Sequence, residues 1–306
     1  MSTMDAKEIN YQSNLTEPKG GSVGLSISRF ELRYLTEKLA KFLVWSAGLA
    51  TIGILLIIIG YIIKNGFHVV NYQFLFDNPK NMGRSGGIFS TIVSTVYLTG
   101  FAILVAAPVG IAASIYLTEY AKENFFLKVI RFGTETLAGV PSIVFGLFGF
   151  AFFVVYLELG WSLLSGGLTL ALMILPIIIR TTEEAIKNVP NAYREGSLAL
   201  GATKWHTIKN VVLPVALPAI MTGIILGIGR AIGETAAVVL TAGSSLGIPS
   251  SLLDPGRTMP VHLYIVSYEG ISMDNAYGTA FVLIVALFLM NLLTNKLIKR
   301  FTNPAA

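Results

Sequence analysis

The chain has 306 residues, of which 54% are hydrophobic and only 13% are charged, whereas soluble domains carry about a quarter charged residues. One soluble core cannot hide so many apolar side chains, so the composition excludes an ordinary soluble domain and indicates that lipid surrounds much of the chain. The absence of cysteine excludes disulfide scaffolds, thiolate metal sites and cysteine nucleophiles. Whether the net charge of +5 indicates a nucleic-acid partner depends on where the charges lie.

The first 41 residues are predicted to lie outside the membrane domain. Residues 1–28 contain few large apolar side chains, which predicts a mobile tail. Between 29 and 41, apolar residues recur at helical spacing among basic ones. This pattern indicates either an amphipathic helix at the lipid surface or an extension of the first membrane helix.

Six apolar runs of about 18 or more residues are predicted as membrane helices. Their approximate ranges are 42–63, 92–117, 136–157, 162–179, 211–240 and 277–295. The first run is too long for the apolar part of a signal peptide, so no cleavage is expected. The predicted fold class is an all-α membrane protein, with a six-helix domain over 42–297 and a C-terminal tail over 298–306.

The basic residues divide unevenly between alternate connecting segments. Seventeen of the 22 Lys and Arg lie in the N-terminal segment, the second and fourth loops and the C-terminal tail, and four lie in the alternate segments. Because Lys and Arg concentrate in short cytoplasmic loops, both termini are expected in the cytoplasm. This topology accounts for the positive charge, so no nucleic-acid partner is expected.

Glycine and proline inside the spans predict close packing between helices. Pro108, Pro141 and Pro176 each remove a backbone donor, which neighbouring helices or water must compensate. Small residues spaced four apart form two faces of the fifth span on which other helices can approach. These faces are Gly223, Gly227 and Ala231, and Gly229, Gly233 and Ala237.

Two charged residues, Arg230 and Glu234, lie inside the apolar fifth span, where each costs about 2.5–3.5 kcal/mol. Their spacing places them on one helical face with Thr241. This face predicts either an ion pair that fixes helix packing or two groups beside a translocated ion. A guanidinium matches an oxyanion, so Arg230 is the expected anion contact and Glu234 its partner when the site is empty. Arg180, at the end of the fourth span, is interpreted as an exit contact or an interfacial anchor.

The segment 180–210 is the longest predicted cytoplasmic loop. Helical signals run over 182–189, stop at Pro190, and resume from about 192 to 209, which predicts two short helices. A rigid protrusion of this kind is suited to docking a soluble partner.

The sequence lacks the usual nucleotide-binding, metalloprotease and hydrolase motifs. His68, His206 and His262 are too far apart to predict a shared metal site. We therefore expect a transport subunit and not an enzyme, with no cofactor of its own. Energy for active transport must then come from a partner or an ion gradient.

The loop contains a glutamate followed by two small residues, a glycine six positions after the glutamate, and a terminal Leu-Pro. These positions are Glu195, Gly196, Ser197, Gly201, Val211, Leu213 and Pro214. The pattern resembles the coupling signature of ABC importer permeases, with small or apolar replacements at Gly196, Ser197 and Val211. In that family the loop seats short helices in a groove of a separate ATPase, and the resemblance implies this role for Glu195 and Gly201.

Further stretches between about 80 and 297 resemble the A-type permease subunits of phosphate-specific (Pst) ABC importers. They are Gly86-Gly87-Ile88, Tyr116-Leu117-Thr118-Glu119-Tyr120, Pro141-Ser142-Ile143-Val144-Phe145-Gly146-Leu147, Arg180-Thr181-Thr182-Glu183 and Gly229-Arg230-Ala231-Ile232-Gly233-Glu234-Thr235. The resemblance implies the MetI-like type I importer fold in the bacterial cytoplasmic (inner) membrane. It also implies a second, C-type permease, two ATPase subunits and an extracytoplasmic phosphate-binding protein that delivers phosphate.

Three alternatives stay open on the sequence. An Arg also suits phosphonate, sulfate or molybdate, so another oxyanion is possible for the same importer. A secondary carrier would use Glu234 as a proton acceptor, but it has no use for the loop. A sensor or scaffold leaves the intramembrane charges unexplained. Residues 241–276 are predicted to form a short re-entrant or interfacial piece, with an apolar run over 261–266, where the binding protein docks.

Overall fold

Helices dominate the residues that the structure describes, as the apolar runs predict. The computed structural model describes residues 23–302, so the predicted N-terminal tail as far as residue 22 and the last four residues of the predicted C-terminal tail lie outside it. The described residues divide into two compact units, one that ends at Gly60 and one that begins at Tyr61.

The first helix, α1 (Val23–Gly66), runs without a break through the segment 29–41. This continuity agrees with the interpretation of 29–41 as an extension of the first membrane helix. The part Thr36–Gly66 is long and apolar enough to cross a membrane, and most of its large apolar side chains are exposed.

A short capped segment precedes the second membrane helix. Helix α2 (Tyr72–Phe76) begins at Asn71, whose Oδ1 accepts a hydrogen bond from the Phe74 backbone N–H at 2.8 Å. Strands β1 (Pro79–Lys80) and β2 (Ser85–Gly86) pair antiparallel around a 3₁₀ turn at Asn81–Gly83. Helix α3 (Phe89–Ile115) follows and ends in one π-helical turn, Tyr116–Tyr120, so the second predicted span is confirmed.

The third predicted span is bent and not straight. Helix α4 (Phe125–Gly139) and helix α5 (Ser142–Gly149), which continues as a π-helix over Phe150–Tyr156, meet at 103°. The prediction of one helix over 136–157 was wrong because Val140 and Pro141 are extended. The ring of Pro141 disfavours helical backbone at the residue before it and supplies no donor to the preceding turn.

The fourth span is longer than the sequence indicates. Helix α6 (Leu163–Lys187) passes through Pro176 and includes most of the first helical stretch predicted for the loop. Two short helices follow, α7 (Asn191–Ala199) and α8 (Lys204–Thr207). The prediction of separate helices over 182–189 and 192–209 was therefore wrong, because the first stretch continues α6 and the second is interrupted by a turn. Gly201 adopts a φ of +83° in the turn between them, a conformation that glycine adopts without steric cost.

The fifth predicted span, 211–240, ends early. A π-helical turn over Ile208–Val212 leads into α9 (Leu213–Ile232), which stops at Gly233, and a separate helix α10 covers Ala236–Thr241. The segment 241–276 contains α11 (Met259–Tyr268), which includes the apolar run 261–266, and α12 (Met273–Thr302) contains the last predicted span. In the part of the chain described here, five helices can cross a membrane, and the bent α4–α5 pair makes a possible sixth.

Small residues let α3, α6 and α9 pack closely, as predicted. An added Cβ at Gly110 of α3 would lie 2.8 Å from Cγ2 of Ile178 in α6, and one at Gly223 of α9 would overlap the side chain of Thr181. The Ser114 hydroxyl donates to the Ile179 carbonyl oxygen at 2.8 Å, which links α3 to α6 directly. Since lipid gives helices no hydrophobic driving force to associate, such close contacts and interhelical hydrogen bonds hold the bundle. The second predicted face is interrupted because α9 ends before Gly233.

Candidate functional site

The break after α9 separates the two charged residues of the fifth span. Arg230 lies in the last turn of α9 and is exposed, where a cation is favoured by the helix dipole. Glu234 lies beyond the helix end, and its Oε1 accepts a hydrogen bond from the Ala237 backbone N–H at 3.3 Å. Glu234 therefore satisfies a free donor at the start of α10.

The predicted i,i+4 pairing of Arg230 with Glu234 was wrong. Among the residues that the structure describes, these two form no ion pair with each other. The reason is the helix end at Ile232, since the predicted face requires helical backbone through Glu234. Thr241 is buried, and its hydroxyl donates to the Ala237 carbonyl oxygen at 2.7 Å within α10.

A groove with a volume of about 640 Å³ lies beside α10. Val239 and Leu240 of α10 line one part of it, and Phe150 and Trp161 line another. The Trp161 indole Nε1–H donates to the Leu240 carbonyl oxygen at 3.1 Å, which fixes the ring against α10. The lining is mostly apolar, and the groove opens at the surface of the single chain.

Arg180 lies in a cluster of charged side chains between α4 and α6. The Arg180 Nε lies 3.4 Å from Glu184 Oε1, and both side chains are exposed. Beside them, Glu183 Oε1 lies 2.8 Å from Arg131 Nε and 2.7 Å from Lys187 Nζ. The Glu183 side chain is only 11% exposed, so its negative charge is stabilised mainly by these two cations.

Sequence analysis missed most of this cluster. The spacing of Glu183 and Lys187 at i,i+4 was a usable signal, but no pattern connects either residue with Arg131 in α4. The cluster, with Glu135, lines a small cavity of about 130 Å³. Its basic and acidic groups alternate, so an entering anion would compete with carboxylates for the same guanidinium groups.

Helices α7 and α8 form a two-helix protrusion between α6 and α9. The hydroxyls of Ser197 in α7 and Thr207 in α8 are hydrogen bonded at 2.9 Å. Behind them, buried apolar residues of α3, α6, α9 and the intervening turns form one cluster, which contains Ile115, Ile186, Val189, Ile208 and Val212. Leu213 packs against this cluster, and Pro214 lies in the first turn of α9, a position that tolerates its missing N–H.

The outer surface of the protrusion is apolar and exposed. Leu200 is 91% exposed, and Leu198 and Trp205 project from the same two-helix unit. Glu195 and Gly196 are also exposed on α7. A groove of about 500 Å³ runs beside Leu200 and Gly201. Sequence analysis identified Glu195, Gly196, Ser197 and Gly201 here but missed Leu200 and Trp205, which the apolar content of the loop could have indicated.

A second buried cluster lies at the opposite end of α3. Arg257 is 8% exposed, and its Nε–H donates to the Ser244 carbonyl oxygen at 2.9 Å. His262 in α11 is buried, and an added Cβ at Gly83 would lie 2.7 Å from its Cε1. Burial, together with the positive charge of Arg257, lowers the pKa of His262 to about 4, so the imidazole is neutral at physiological pH.

A family model for "binding-protein-dependent transport system inner membrane component" matches residues 106–303. The "probable ABC transporter permease protein YqgI" of Bacillus subtilis is 34% identical over 276 residues, which cover 85% of this chain and 94% of that protein. The "phosphate transport system permease protein PstA 1" of Mycobacterium tuberculosis is 35% identical over 211 residues, 68% of this chain and 69% of that one.

Among solved structures, a bacterial alginate ABC transporter in complex with a periplasmic protein contains a chain with a similar fold. The TM-score is 0.62 at 15% sequence identity, and the match covers 92% of this chain and 98% of that chain. This likeness shows the fold alone. Together with the family model, it confirms the predicted fold class, an all-α membrane protein with the MetI-like fold of ABC importer permeases.

Proposed function

This chain belongs to the family of binding-protein-dependent transport system inner membrane components, and we propose that it is one permease half of an ATP-driven importer of inorganic phosphate. A multi-pass integral membrane protein of this family works with separate ATPase subunits and an extracytoplasmic binding protein. We further propose that it is the A-type subunit, that it pairs with a C-type permease, and that both of its termini lie in the cytoplasm.

The observation that carries the transport role is the α7–α8 protrusion. An exposed leucine, a tryptophan and a glycine turn occupy the segment whose sequence matches the coupling signature. Exposed apolar side chains of this size on a rigid polar loop are typical of a docking surface. We assign this surface, with Glu195, Gly196, Ser197, Gly201, Leu213 and Pro214, to one of the two ATPase subunits.

The substrate path is assigned to the exposed side of α9 and α10. Arg230 is exposed there, and among the described residues it has no acidic partner. A guanidinium left free at a helix end can neutralise part of a phosphate's charge without first breaking an ion pair. We place the C-type permease, which completes the path, on the groove beside α10 that Val239 and Leu240 line. Glu234, just before α10, and Thr241, within it, are assigned to the same path. Arg180 is assigned to the cytoplasmic end of the substrate path.

Phosphate as the substrate is supported by the relatives named as phosphate transport permeases. These relatives are 35% and 32% identical to this chain, so another oxyanion is the second candidate. Phosphonate, sulfate and molybdate all fit a guanidinium. The orientation with both termini in the cytoplasm follows the distribution of Lys and Arg and belongs to the same proposal.

Arg230 provides the sharpest test of the path. In membrane vesicles containing the assembled transporter, Arg230→Ala should lower uptake of labelled phosphate at least about tenfold, since a charge-assisted contact contributes about 1.5–3 kcal/mol. Arg84→Ala is the matched control, because Arg84 is also exposed but lies in the β1–β2 turn. Undiminished uptake by Arg230→Ala would contradict the assignment. Competition by sulfate, molybdate or a phosphonate at equal concentration would reassign the substrate.

A further inference from the structure

We infer that Arg194 and Glu119 form a tie through which motion of the α7–α8 protrusion is transmitted to membrane helix α3. The inference rests on the proposed function, in which this protrusion docks an ATPase. Neither residue is among those that the coupling signature assigns. Along the chain, the protrusion adjoins α6 on one side and α9 on the other, so α3 has no covalent neighbour in it.

The guanidinium of Arg194 joins three segments of the protein. Its Nε–H and Nη2–H donate to Glu119 Oε1 at 3.0 and 2.9 Å, respectively. Its other Nη2–H donates to the Ile186 carbonyl oxygen at 2.8 Å, and Nη1 donates to the Val189 carbonyl oxygen at 2.6 Å and to Asn191 Oδ1 at 3.3 Å. One side chain from α7 therefore holds the last turn of α3 and the end of α6 together.

The ion pair is shielded from solvent. The side chain of Arg194 is 17% exposed and that of Glu119 is 10% exposed. Removing one member of such a pair leaves the other charge buried without compensation, so the pair resists opening during thermal motion. A planar guanidinium with two bonds to one carboxylate oxygen and two to carbonyls also fixes direction, which a lysine at the same position would not do.

A second contact attaches α8 to the same turn of α3. The Lys204 ammonium donates to the Glu119 carbonyl oxygen and lies 5.0 Å from the centre of the Tyr120 ring. Because Ser197 and Thr207 link α7 to α8, both helices of the protrusion are attached to each other and to Tyr116–Tyr120. The protrusion and the end of α3 thus form one rigid piece.

This arrangement gives the Tyr-Leu-Thr-Glu-Tyr stretch a mechanical role. Its π-helical turn lies at the end of α3, and α3 packs along α6 through Gly110 and Ser114. Displacement of the protrusion by an ATPase therefore moves α3 as well as the two adjoining helices. Glu119 and Arg194 are positioning residues, since neither is assigned to the substrate path.

The test compares the Glu119→Ala and Glu123→Ala variants in the full transporter. Glu123 belongs to the same segment, but it pairs with Arg131 and not with Arg194, so it is the matched control. The chain contains no cysteine, which allows two spin labels at Ala192→Cys in α7 and Lys122→Cys beyond α3, both exposed positions. The distance between the labels is measured with and without trapped ATP, alongside ATP hydrolysis and substrate uptake.

With Glu119 present, the distribution of distances between the two labels should stay narrow, and its mean should not change when ATP is trapped. Glu123→Ala should behave in the same way. In Glu119→Ala the distribution should broaden on ATP trapping, and the amount of phosphate moved per ATP should fall about tenfold while hydrolysis continues. Glu119→Gln keeps an acceptor oxygen for Arg194, so this variant should fold and give an intermediate loss.

Two results would overturn the tie. One is an unchanged label distance and unchanged transport per ATP in Glu119→Ala. The other is loss of ATPase binding together with transport in that variant, because Arg194 would then only hold the docking surface in shape. The label distance does not depend on which substrate moves. If the transporter does not move phosphate but shows the expected change in label distance, the assignment of phosphate as substrate is refuted and the tie between Arg194 and Glu119 stands.

Discussion

Leu200 is the residue whose replacement most directly tests the docking surface. Its side chain is 91% exposed in the isolated chain, so Leu200→Ala removes almost no contact within the protein. If the side chain is buried in an ATPase groove, the deleted carbons cost about 0.8 kcal/mol each, or about 2 kcal/mol in total. This loss corresponds to about 30-fold weaker binding of the ATPase.

The assay is titration of purified ATPase subunit onto the permease in detergent or nanodiscs, with binding followed by light scattering or interferometry. Leu253→Ala is the matched control, because Leu253 is also exposed, at 59%, but lies between α10 and α11. The thermal midpoint of the free permease should not change in either variant. Equal ATPase affinity for Leu200→Ala and Leu253→Ala would refute the assignment of this face.

Two further predictions concern the folded chain itself. Gly223→Leu should abolish recovery of folded permease in size-exclusion chromatography, because a side chain there overlaps Thr181 of α6. Gly48→Leu is the control and should be recovered normally, because nothing lies within 4 Å of an added Cβ at Gly48. His262 should make stability depend on pH, since its pKa of about 4 in the folded chain is below the ordinary value of about 6.5. As pH falls, the unfolded chain binds the proton before the folded chain does. The contribution of His262 to the free energy of unfolding is therefore complete above about pH 6.5 and is lost as pH falls towards 4. Thermal unfolding of the detergent-solubilised protein between pH 7 and 4.5 should show the loss in the His68→Gln control and a flatter profile in His262→Gln; identical profiles would contradict the role of burial.

The membrane helices were predictable because the signal is simple. A run of apolar residues long enough to cross a bilayer identifies α1, α3, α6, α9 and α12 without knowledge of their neighbours. Glycine spacing in α9 also predicted the close approach of another helix, since no larger side chain fits between helices that pack so tightly.

The bends were harder to predict, because hydropathy does not report backbone geometry. Pro141 lies in an apolar run and was treated as a tolerated proline, as Pro108 and Pro176 are, but it begins a new helix. At Gly233 the helix stops inside the run 211–240, whose only charged residues are Arg230 and Glu234. Both errors are failures to distinguish a residue that a helix tolerates from one that ends it.

The candidate site was predictable only where it is local in sequence. The positions of the coupling signature follow one another along the loop, so their spacing could be recognised directly. The ion pairs of Glu183 with Arg131 and of Glu119 with Arg194 join residues that are far apart along the chain. No pattern within one segment indicates such a partner, because its position is determined by how α3, α4, α6 and α7 pack.

We expect this chain to move phosphate by coupling to ATP hydrolysis. The most direct measurement is uptake of labelled phosphate into proteoliposomes that contain this permease, its partner permease, the ATPase and the binding protein. Uptake should require ATP on the ATPase side, should persist when the proton gradient is dissipated, and should be unaffected by excess sulfate. Uptake that continues without ATP but collapses with the proton gradient would contradict the account and identify a secondary carrier.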